Sequence, residues 1–493
     1  MKYYNFHERK QPKGDVDMEM RKGLRNGILL CMMLLIAFSL FCCVGKDPSD
    51  ESTEAVSDGE TSADVSGAAT TREETSNHVT SAESEEPSRD ASETDATAGE
   101  GDTTANSATT EEGDTTAETT EEETTEEEIT REDLFGLDIP EGEYTLTFEN
   151  LNVLGSQNNV VVFIIDRFDW EYYDRARREA PEIFYNLDNG GFTYFNDSMS
   201  LYPRTFPSIP YLITGVENDF TKNRNDYFAS AYASSEYMRA LYNAGYDINV
   251  YTDTYYGYTD AVYMANYAQN AKNIQEEYTP YTTDMKQIYS YLTDEQMTVG
   301  EGRKSYKVIH LLGTHVPIFY DEDFNALSEN DPKRYNTTIG LKQSFAIINR
   351  YIDEMKRLGV YENSTIIITG DHTSIGSDSA VPLRWAHVTP MFVKSSANGS
   401  GELVVSGAPV SHADMFPTIL KSEGFRNYTS FGESVFDVSE TEKRERLYYF
   451  QKYEVVNDAT NYEMVIFKVW GKAADYGNWE IIDRYYLGKS IYK

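Results

Sequence analysis

Continuous apolar runs that end in an acidic residue are the feature that most restricts the fold of this chain. The first run, NVVVFIID, spans residues 159–166 and ends in Asp166. The second, STIIITGDHTS, spans residues 364–374 and contains Asp371 followed by His372. A strand without polar alternation is covered on both faces, as in parallel sheets, and open α/β sheets keep their ligand sites at the carboxyl ends of such strands. Taken alone, an aspartate at such a position is more often an ordinary turn residue than part of a site.

Strand and helix patterns alternate through the part of the chain that has a globular composition, residues 134–493. Strand patterns lie at 246–252, 307–312 and 387–395, and helical patterns lie at 235–245, 339–358 and 410–420. This alternation predicts an α/β fold with a mixed, mostly parallel central sheet and helices on both faces. Residues 424–493 contain aromatic-rich patterns that predict short strands, either at a sheet edge or in a small C-terminal lobe of the same domain.

The stretch YPRTFPSIPYLITG, residues 202–215, is typical of a loop that enters a short helix with Thr205 at its mouth. Pro207 fits a first helical turn, where backbone N–H groups have no intrahelical partner. Such a helix start favours an anion, because free N–H groups and the positive end of the helix dipole point outward. The alternative is that Thr205 is an ordinary N-cap. Pro210 then falls just past the first turn, which suggests that the helix begins later.

The N-terminal segment predicts a single membrane anchor. Residues 1–27 are polar and basic, whereas residues 28–44 carry no charge and lie near the lower length limit for a membrane-spanning helix. The positive-inside rule places the N-terminus in the cytoplasm and the rest of the chain outside the cell. A lipoprotein signal ending at Cys42 or Cys43 is the second interpretation, although Phe41 is unfavourable beside the cut. A cleaved signal peptide ranks below both, since no small-x-small site follows.

Residues 45–133 predict a disordered acidic stalk. Between residues 47 and 130 there are 27 acidic and 2 basic residues, which account for 25 of the 39 net negative charges of the chain. A segment with so few apolar residues cannot offset its ordering entropy by burial, and its self-repulsion extends it. The acidity argues against a nucleic-acid partner. All three cysteines precede the stalk, so the folded part has no thiol nucleophile.

Histidines of the folded part stand at strand ends or helix starts. They are His310, His315, His372, His387 and His412. With Asp166, Asp371 and Thr205 they offer the carboxylate, imidazole and hydroxyl ligands that zinc or manganese accepts. A metal beside Thr205 would lower the pKa of its hydroxyl and polarise a phosphoryl oxygen. The combination predicts metal-assisted phosphoryl chemistry more strongly than any one of these motifs does alone.

Residues 159–420 resemble the sulfatase domain of the alkaline phosphatase superfamily. The matching segments are NVVVFIID, TFPS followed by LITG, GTHVP, TGDHTS and SHADMFPTIL. The Thr-Phe-Pro stretch is similar to nucleotide pyrophosphatase/phosphodiesterases. The GTHVP segment and the membrane anchor are similar to lipoteichoic acid synthases and phosphoethanolamine transferases. The resemblance implies an alkaline phosphatase-like fold for most of the folded part and says nothing of the stalk.

The resemblance also implies roles for individual residues. The implied ligands of the main metal are Asp166, Thr205, Asp371 and His372. Thr205 is also the implied nucleophile. His315 is implied to contact the substrate phosphate or to assist a second metal, and His387 occupies a similar position. His412 is interpreted as a structural residue near a helix cap and His310 as a packed strand histidine. Whether a second metal binds stays open, because no second carboxylate set is evident.

Two departures from the family narrow the function. Thr205-Phe206-Pro207-Ser208-Ile209 lacks the Cys/Ser-x-Pro-x-Arg context from which sulfatases build formylglycine, which argues against sulfate-ester hydrolysis. Teichoic acid synthases usually have several membrane spans, and this chain has one candidate. The substrate is expected to be a phosphoester or a glycolipid of the cell envelope, with loops at 216–235, 253–300 and 319–336 determining its specificity.

Two functions of different classes remain. The first is a membrane-anchored extracellular phosphoester hydrolase or phosphotransferase that forms a phosphothreonine at Thr205. Water as acceptor would make it a hydrolase, and a sugar, glycerol or lipid hydroxyl would make it a transferase. The second is a catalytically silent surface module that binds carbohydrate or cell wall. The complete set of Asp, Thr, Asp and His favours the enzyme.

Overall fold

The computed structural model describes residues 141–254, 257–274, 278–373, 388–456 and 459–488. Its strands are β1 (Tyr144–Leu146), β2 (Val153–Gly155), β3 (Asn159–Ile165), β4 (Thr193–Met199), β5 (Tyr246–Tyr251), β6 (Ala271–Asn273), β7 (Thr298–Gly300), β8 (Lys304–Leu311), β9 (Ser364–Gly370), β10 (Met391–Lys394), β11 (Val404–Ser411), β12 (Glu445–Val456), β13 (Ala459–Trp470) and β14 (Trp479–Gly488). Its α-helices are α1 (Trp170–Glu179), α2 (Tyr185–Asn189), α3 (Thr205–Thr214), α4 (Arg224–Ser234), α5 (Glu236–Asn243), α6 (Met285–Asp294), α7 (Thr337–Arg357) and α8 (Met415–Ser422). The predicted cytoplasmic tail, anchor and stalk lie outside the described residues.

A seven-stranded sheet forms the centre of the described part, in the order β11-β4-β10-β9-β3-β8-β5. The strands β5, β8, β3 and β9 are parallel to one another. The strand β10 is antiparallel to both of its neighbours, and β4 and β11 are parallel to each other. The prediction of an α/β fold with a mixed, mostly parallel sheet is therefore confirmed. Every residue of β3 and β9 is buried, as their unbroken apolar sequences require.

Helices cover both faces of this sheet, as two aromatic pairs demonstrate. Tyr351 of α7 packs edge-on against Phe163 of β3, with ring centroids 5.5 Å apart. Tyr306 of β8 lies opposite Val160 of β3 in the parallel register. Because side chains alternate along a strand, Val160 and Phe163 point to opposite faces, and so does Tyr306 relative to Phe163. On that second face Tyr237 of α5 packs against Tyr306, with centroids 6.0 Å apart.

The C-terminal strands β12, β13 and β14 form a separate antiparallel sheet. They contain 12, 12 and 10 residues, so the expectation of short strands is wrong. Among the described strands they do not pair with an edge of the central sheet, which favours the lobe over the edge interpretation. The lobe packs directly on the central part: Tyr449 N–H donates to Leu201 O at 2.9 Å, and its ring stacks on Tyr202 with centroids 5.3 Å apart.

The described helices do not include one that combines the length and the apolar character needed to cross a membrane. The longest, α7, has 21 residues and carries polar residues along one side. Residues 28–44, where the anchor is predicted, lie outside the described ranges, so the anchor stays a prediction.

Candidate active site

Three predicted metal ligands meet at one edge of the central sheet. Asp166 directly follows β3, and Asp371 and His372 directly follow β9. Because β3 and β9 are adjacent, parallel and paired residue for residue, their carboxyl ends lie side by side. One ligand atom from each residue lies within 4.8 Å of the others. This is the grouping that the strand-end positions predicted, and it is buried.

Two glycines, one just after β8 and one at the end of β9, lie against the turn that follows β3. A Cβ at Gly313, after β8, would lie 2.3 Å from Ile165 Cγ2 and 3.1 Å from Asp166 N. A Cβ at Gly370, the last residue of β9, would lie 2.8 Å from Phe168 O. Both distances are too short for a real side chain, so only glycine fits at either position. The segment that carries Asp166 is thereby clamped between two strand ends.

The two carboxylates are incompletely hydrogen-bonded. Asp371 Oδ1 accepts from the backbone N–H groups of Arg167, at 2.9 Å, and His372, at 2.8 Å. In contrast, Asp371 Oδ2 and Asp166 Oδ1 are buried and have no hydrogen-bond partner among the described residues. Buried polar atoms are normally satisfied, so an unpartnered pair of carboxylate oxygens indicates a missing cationic partner. The site therefore fits a divalent metal, with carboxylate and imidazole donors that suit zinc or manganese.

Burial dominates the electrostatics of this cluster. It raises the pKa of both carboxyls, and the charge of Asp371 raises the pKa of Asp166 further. The hydroxyl of Thr205 lies close enough to lower both values. Burial also lowers the pKa of His372 to about 3, so its ring is neutral at physiological pH. Two like charges and no compensating imidazolium make a positive ion the natural partner.

The orientation of His372 presents the lone pair of its Nε2 to the site. Its Nδ1 lies 2.7 Å from the backbone oxygen of Thr373, and since a carbonyl can only accept, Nδ1 carries the proton. The Nε2 atom of the neutral ring is therefore an acceptor. It lies 3.4 Å from Asp371 Oδ2 and 3.8 Å from Asp166 Oδ1. A backbone hydrogen bond that fixes the ring in this way is the usual arrangement behind a metal-binding histidine.

Thr205 completes the group. Its Oγ1 lies 3.2 Å from His372 Nε2, and the residue is only 6% exposed. The N-cap of α3 is Arg204, which makes no side-chain cap hydrogen bond. Phe206 is non-helical, with φ −96° and ψ 125°, so the regular helix begins at Pro207. The alternative that Thr205 is an ordinary N-cap is therefore wrong, and the later helix start is confirmed.

The remaining histidines occupy different positions. His315 is half-buried in the loop after β8, where burial, Arg167 and His372 lower its pKa to about 4. His310 is buried near the end of β8 with Nδ1 3.0 Å from Thr252 Oγ1, and its Nε2 has no partner among the described residues. His412 opens a 3-10 turn, and its Nε2 lies 3.4 Å from Thr389 Oγ1. His387 lies outside the described residues, and its role stays a prediction.

Sequence reasoning missed the residues that support this group. Thr314 Oγ1 donates to the backbone oxygens of Asp166, at 3.0 Å, and Arg167, at 2.6 Å, which holds the turn after β3. Burial is the main cause of the low pKa of His372. The positive charge of Arg204, next to Thr205, lowers this pKa further. Positions next to a strand-end aspartate or a helix-entry threonine are the only sequence signal that could have found Arg167 and Arg204.

The sulfatase family model matches residues 158–424, which is more than half of the 493-residue chain. The chain belongs to the sulfatase family. The match includes the whole buried group, from Asp166 through Thr205 to Asp371 and His372. Members of this family are metal-dependent hydrolases or transferases, and the buried carboxylates fit that dependence. No curated protein matches the sequence.

Solved structures give only distant similarities. An alkaline phosphatase superfamily protein from Vibrio parahaemolyticus is 11% identical, with a TM-score of 0.43, over 72% of this chain and 93% of that one. The lipoteichoic acid synthase LtaP from Listeria monocytogenes is 12% identical, with a TM-score of 0.42, over 64% and 85%. The periplasmic domain of EptC from Escherichia coli, in complex with zinc, is 16% identical, with a TM-score of 0.38, over 62% and 92%. The chemistry has to be inferred from the residues of this chain.

Proposed function

We propose that this sulfatase-family protein is a metal-dependent phosphoester hydrolase or phosphotransferase with Thr205 as its nucleophile. The observation that carries the proposal is the meeting of two unpartnered carboxylate oxygens, from Asp166 and Asp371, with the lone pair of His372 and the hydroxyl of Thr205. A silent binding module has no need to bury two uncompensated carboxylates, which are costly without a cation.

Asp166, Asp371, His372 and Thr205 would hold the ion. When bound, zinc or manganese would lower the pKa of the threonine hydroxyl and offset charge on the phosphoryl group. The described residues contain one such cluster, and the proposal concerns the metal held there. The neutral state of His372, which its burial enforces, keeps Nε2 available as a ligand.

Thr205 Oγ gives up its proton to solvent and forms a bond to phosphorus as the bond from phosphorus to the leaving oxygen breaks. The leaving oxygen takes up a proton from solvent and departs as an alcohol, which leaves a phosphothreonine. A water molecule or an acceptor hydroxyl then attacks phosphorus from the opposite side and releases Thr205. The buried setting of Thr205 restricts access of bulk water to the reacting atoms. His315 and His387 are proposed to contact the phosphate oxygens, and the low pKa of His315 makes it a neutral hydrogen-bonding group there.

The proposed location follows from the N-terminal sequence. Residues 28–44 would anchor the protein in the cell membrane, and residues 45–133 would hold the catalytic domain away from the outer surface. The proposed substrate is accordingly a phosphoester of the cell envelope or a glycolipid, and nucleic acid is not expected to bind.

The test uses the full-length protein in detergent, supplied with zinc or manganese. It is assayed against a chromogenic phosphodiester, a phosphomonoester and a sulfate ester. We expect phosphoester turnover that a chelator abolishes and that Thr205→Ala lowers on the order of 10³-fold or more. Thr205→Ser, which keeps a hydroxyl, is the matched control and should retain measurable turnover. Full activity of Thr205→Ala would refute the covalent mechanism, and cleavage of the sulfate ester alone would refute the substrate class.

A further inference from the structure

Among the four residues of the candidate active site, Thr205 alone does not follow a strand of the central sheet. Asp166 directly follows β3, and Asp371 and His372 directly follow β9, so paired strands fix these three relative to one another. Thr205 instead begins α3. The 3.2 Å distance from Thr205 Oγ1 to His372 Nε2 therefore depends on how α3 is held against the sheet.

The start of α3 contributes little backbone hydrogen bonding of its own. Pro207 and Pro210 have no N–H to donate to an earlier carbonyl. The N–H of Ser208 donates to the Arg204 carbonyl at 3.2 Å, which is at the long end of the usual range. Contacts from outside the helix are therefore important for the placement of Thr205.

The chain segments on either side of α3 are joined by Tyr202. This residue is buried, and its hydroxyl accepts from the Asn218 N–H at 2.6 Å and donates to the Asn218 carbonyl at 3.2 Å. Its ring packs edge-on against Tyr211 of α3, with centroids 5.8 Å apart. The entry and the exit of the helix thus form one packed unit, with Thr205 shortly after Tyr202.

Tyr449 of the C-terminal lobe contacts both sides of this unit. Its N–H donates to the Leu201 carbonyl at 2.9 Å, and its ring stacks on Tyr202 with centroids 5.3 Å apart. Its hydroxyl donates to Glu217 Oε2 at 2.9 Å, beyond the C-terminal end of α3. Burial and the charge of Glu217 raise the pKa of Tyr449 above its usual value, so the hydroxyl stays protonated and keeps this hydrogen bond. A single residue therefore bridges the entry and the exit of the helix.

The strand that carries Tyr449 is itself fixed to the central sheet. Arg446, on the same strand β12, is buried, and its Nη1 donates to the carbonyls of Asp197 in β4, at 2.6 Å, and Val410 in β11, at 2.9 Å. The lobe therefore gives α3 a support whose position is set by the same sheet that carries the proposed metal ligands.

We propose that Tyr449 is a positioning residue, through which the C-terminal lobe holds Thr205 in place for its attack on phosphorus. This inference rests on the proposed function and goes beyond it, because it gives the separate antiparallel sheet a part in the reaction. Tyr449 acts through Leu201 and Tyr202 and not by contact with the substrate. Reacting atoms must lie about 3–3.5 Å apart, and a displacement of about 1 Å can cost about 10²-fold in rate. A loosened entry to α3 should therefore slow the transfer step and leave the metal bound.

The experiment compares full-length wild type with Tyr449→Phe and Tyr449→Leu, all loaded with zinc. The phenylalanine variant keeps the ring stack on Tyr202 and loses the hydroxyl, and the leucine variant loses both. Phe467→Leu is the matched control: Phe467, on β13 of the same lobe, is buried and packs its ring against Trp479, with centroids 5.5 Å apart. The measurements are bound zinc, kcat and KM for a chromogenic phosphoester, the midpoint of thermal unfolding, and hydrogen exchange of peptides that cover residues 201–220.

We expect Tyr449→Leu to keep its zinc, to lose about 10- to 100-fold in kcat with KM within about twofold of wild type, and to exchange faster over residues 201–220. Tyr449→Phe should lose less in kcat, because the stack on Tyr202 and the backbone hydrogen bond to Leu201 remain. Phe467→Leu should lower the midpoint of thermal unfolding by a similar amount to Tyr449→Leu, yet keep the kcat and the exchange of the wild type.

The same variants can overturn the inference. A kcat of Tyr449→Leu within about twofold of wild type would do so. An equal loss of kcat in Tyr449→Leu and Phe467→Leu would also do so, because it would reduce the effect to the stability of the lobe. Loss of zinc together with activity would make Tyr449 a support for the metal ligands instead.

A further measurement separates this inference from the proposed function. If the wild type turns over no phosphoester, the proposed function fails, and the role of Tyr449 in that reaction fails with it. Faster exchange over residues 201–220 in Tyr449→Leu, without the same change in Phe467→Leu, would then still support the hold on α3. Unchanged exchange in Tyr449→Leu would contradict that hold whether or not the wild type is active.

Discussion

Buried carboxylates occur in two regions of the described chain, and the two regions satisfy them differently. Asp197 and Asp414 lie where the central sheet meets the C-terminal lobe, and Asp166 and Asp371 lie at the candidate active site. Burial raises the pKa of all four carboxyls, so the charged carboxylates carry a desolvation cost in both regions. What differs is the source of the compensating positive charge.

In the first region the chain supplies that charge itself. Arg446 of β12 is fully buried, and its Nη2 lies 3.2 Å from Asp197 Oδ2. Asp197 Oδ1 accepts the N–H of Ala473 at 2.8 Å. Asp414 receives Arg444 at 2.7 Å and the N–H of Ser411 at 2.8 Å. These contacts attach the C-terminal lobe to the central sheet through fully used carboxylate oxygens.

In the second region Asp166 Oδ1 and Asp371 Oδ2 have no such partner among the described residues. The nearest imidazole, His372, is neutral because burial lowers its pKa to about 3. Carboxylate burial is therefore not itself the mark of a functional site, since the buried Asp197 is paired with Arg446. The mark is the burial of carboxylate oxygens that have no hydrogen-bonded cation among the described residues, which leaves a place for an ion from outside.

The largest expected effect concerns the compensated region. Arg446→Met should lower the free energy of unfolding by about 3–5 kcal/mol, because it leaves Asp197 as an uncompensated buried charge. Urea unfolding followed by circular dichroism measures the change. Arg484→Met, at a half-exposed arginine of β14, is the matched control and should change stability by less than about 0.5 kcal/mol. A loss below about 1 kcal/mol at Arg446 would mean that this ion pair does not hold the lobe.

Metal removal should have the next largest effect on stability. It should act only through the region of Asp166 and Asp371. A ligand present at about 1,000 times its Kd stabilises the native state by about 4 kcal/mol, and a chelator should remove that contribution. Thermal unfolding with and without chelator measures it, and Thr205→Ala should respond similarly, since three other ligands remain. An identical midpoint with and without chelator would contradict a tightly bound ion.

Replacing one carboxylate of the site should stabilise the metal-free protein and destabilise the metal-bound protein. Without metal, Asp371→Asn should raise the free energy of unfolding by about 1 kcal/mol, because it removes a buried charge next to Asp166 and keeps the backbone hydrogen bonds at Oδ1. With zinc present, the same variant should lose most of the metal-dependent stabilisation. Asp197→Asn is the contrasting control and should destabilise in both conditions. Destabilisation of metal-free Asp371→Asn would indicate that the charge is compensated within the chain.

The sequence could predict the uncompensated group because each member stands at a recognisable local boundary. Asp166 and Asp371 end unbroken apolar strands, and Thr205 precedes a proline-marked helix start. The parallel sheet then brings together positions that are more than 200 residues apart. Distances along the chain do not matter once the strand order places β3 beside β9.

The compensated group and two of the sheet strands could not be predicted in this way. The strand β4 reads TYFNDSM, and its polar residues do not give the apolar pattern of a buried strand. Asp197 can be buried there because it pairs with Arg446, 249 residues away. The strand β11 contains glycine and proline and is irregular between Ser406 and Pro409. The left-handed conformation of Arg167 depends on Thr314 and on two glycines of other strands, and no local pattern encodes it.

The smallest effect on stability is expected at a buried lysine, whose charge is opposite to that of the buried aspartates. Lys307 of β8 donates from Nζ to the Asn150 carbonyl at 2.8 Å, and burial lowers its pKa to about 7, against about 10.4 in an unfolded chain. Between pH 7 and pH 9 the unfolded state therefore binds more protons than the folded state, so the free energy of unfolding should rise with pH, by about 1 kcal/mol per pH unit. Urea unfolding at several pH values measures this slope.

Lys307→Met should flatten the rise in stability between pH 7 and pH 9 and should stabilise the protein at pH 7. Lys304→Met, on the same strand, is the control that should keep the slope, because the Lys304 side chain is only partly buried and donates to the Ala244 carbonyl at 3.0 Å. An unchanged slope in Lys307→Met would mean that Lys307 stays charged in the fold. The surrounding chain would then stabilise the buried charge of Lys307. Among these buried groups, only Asp166 and Asp371 would lack a compensating charge.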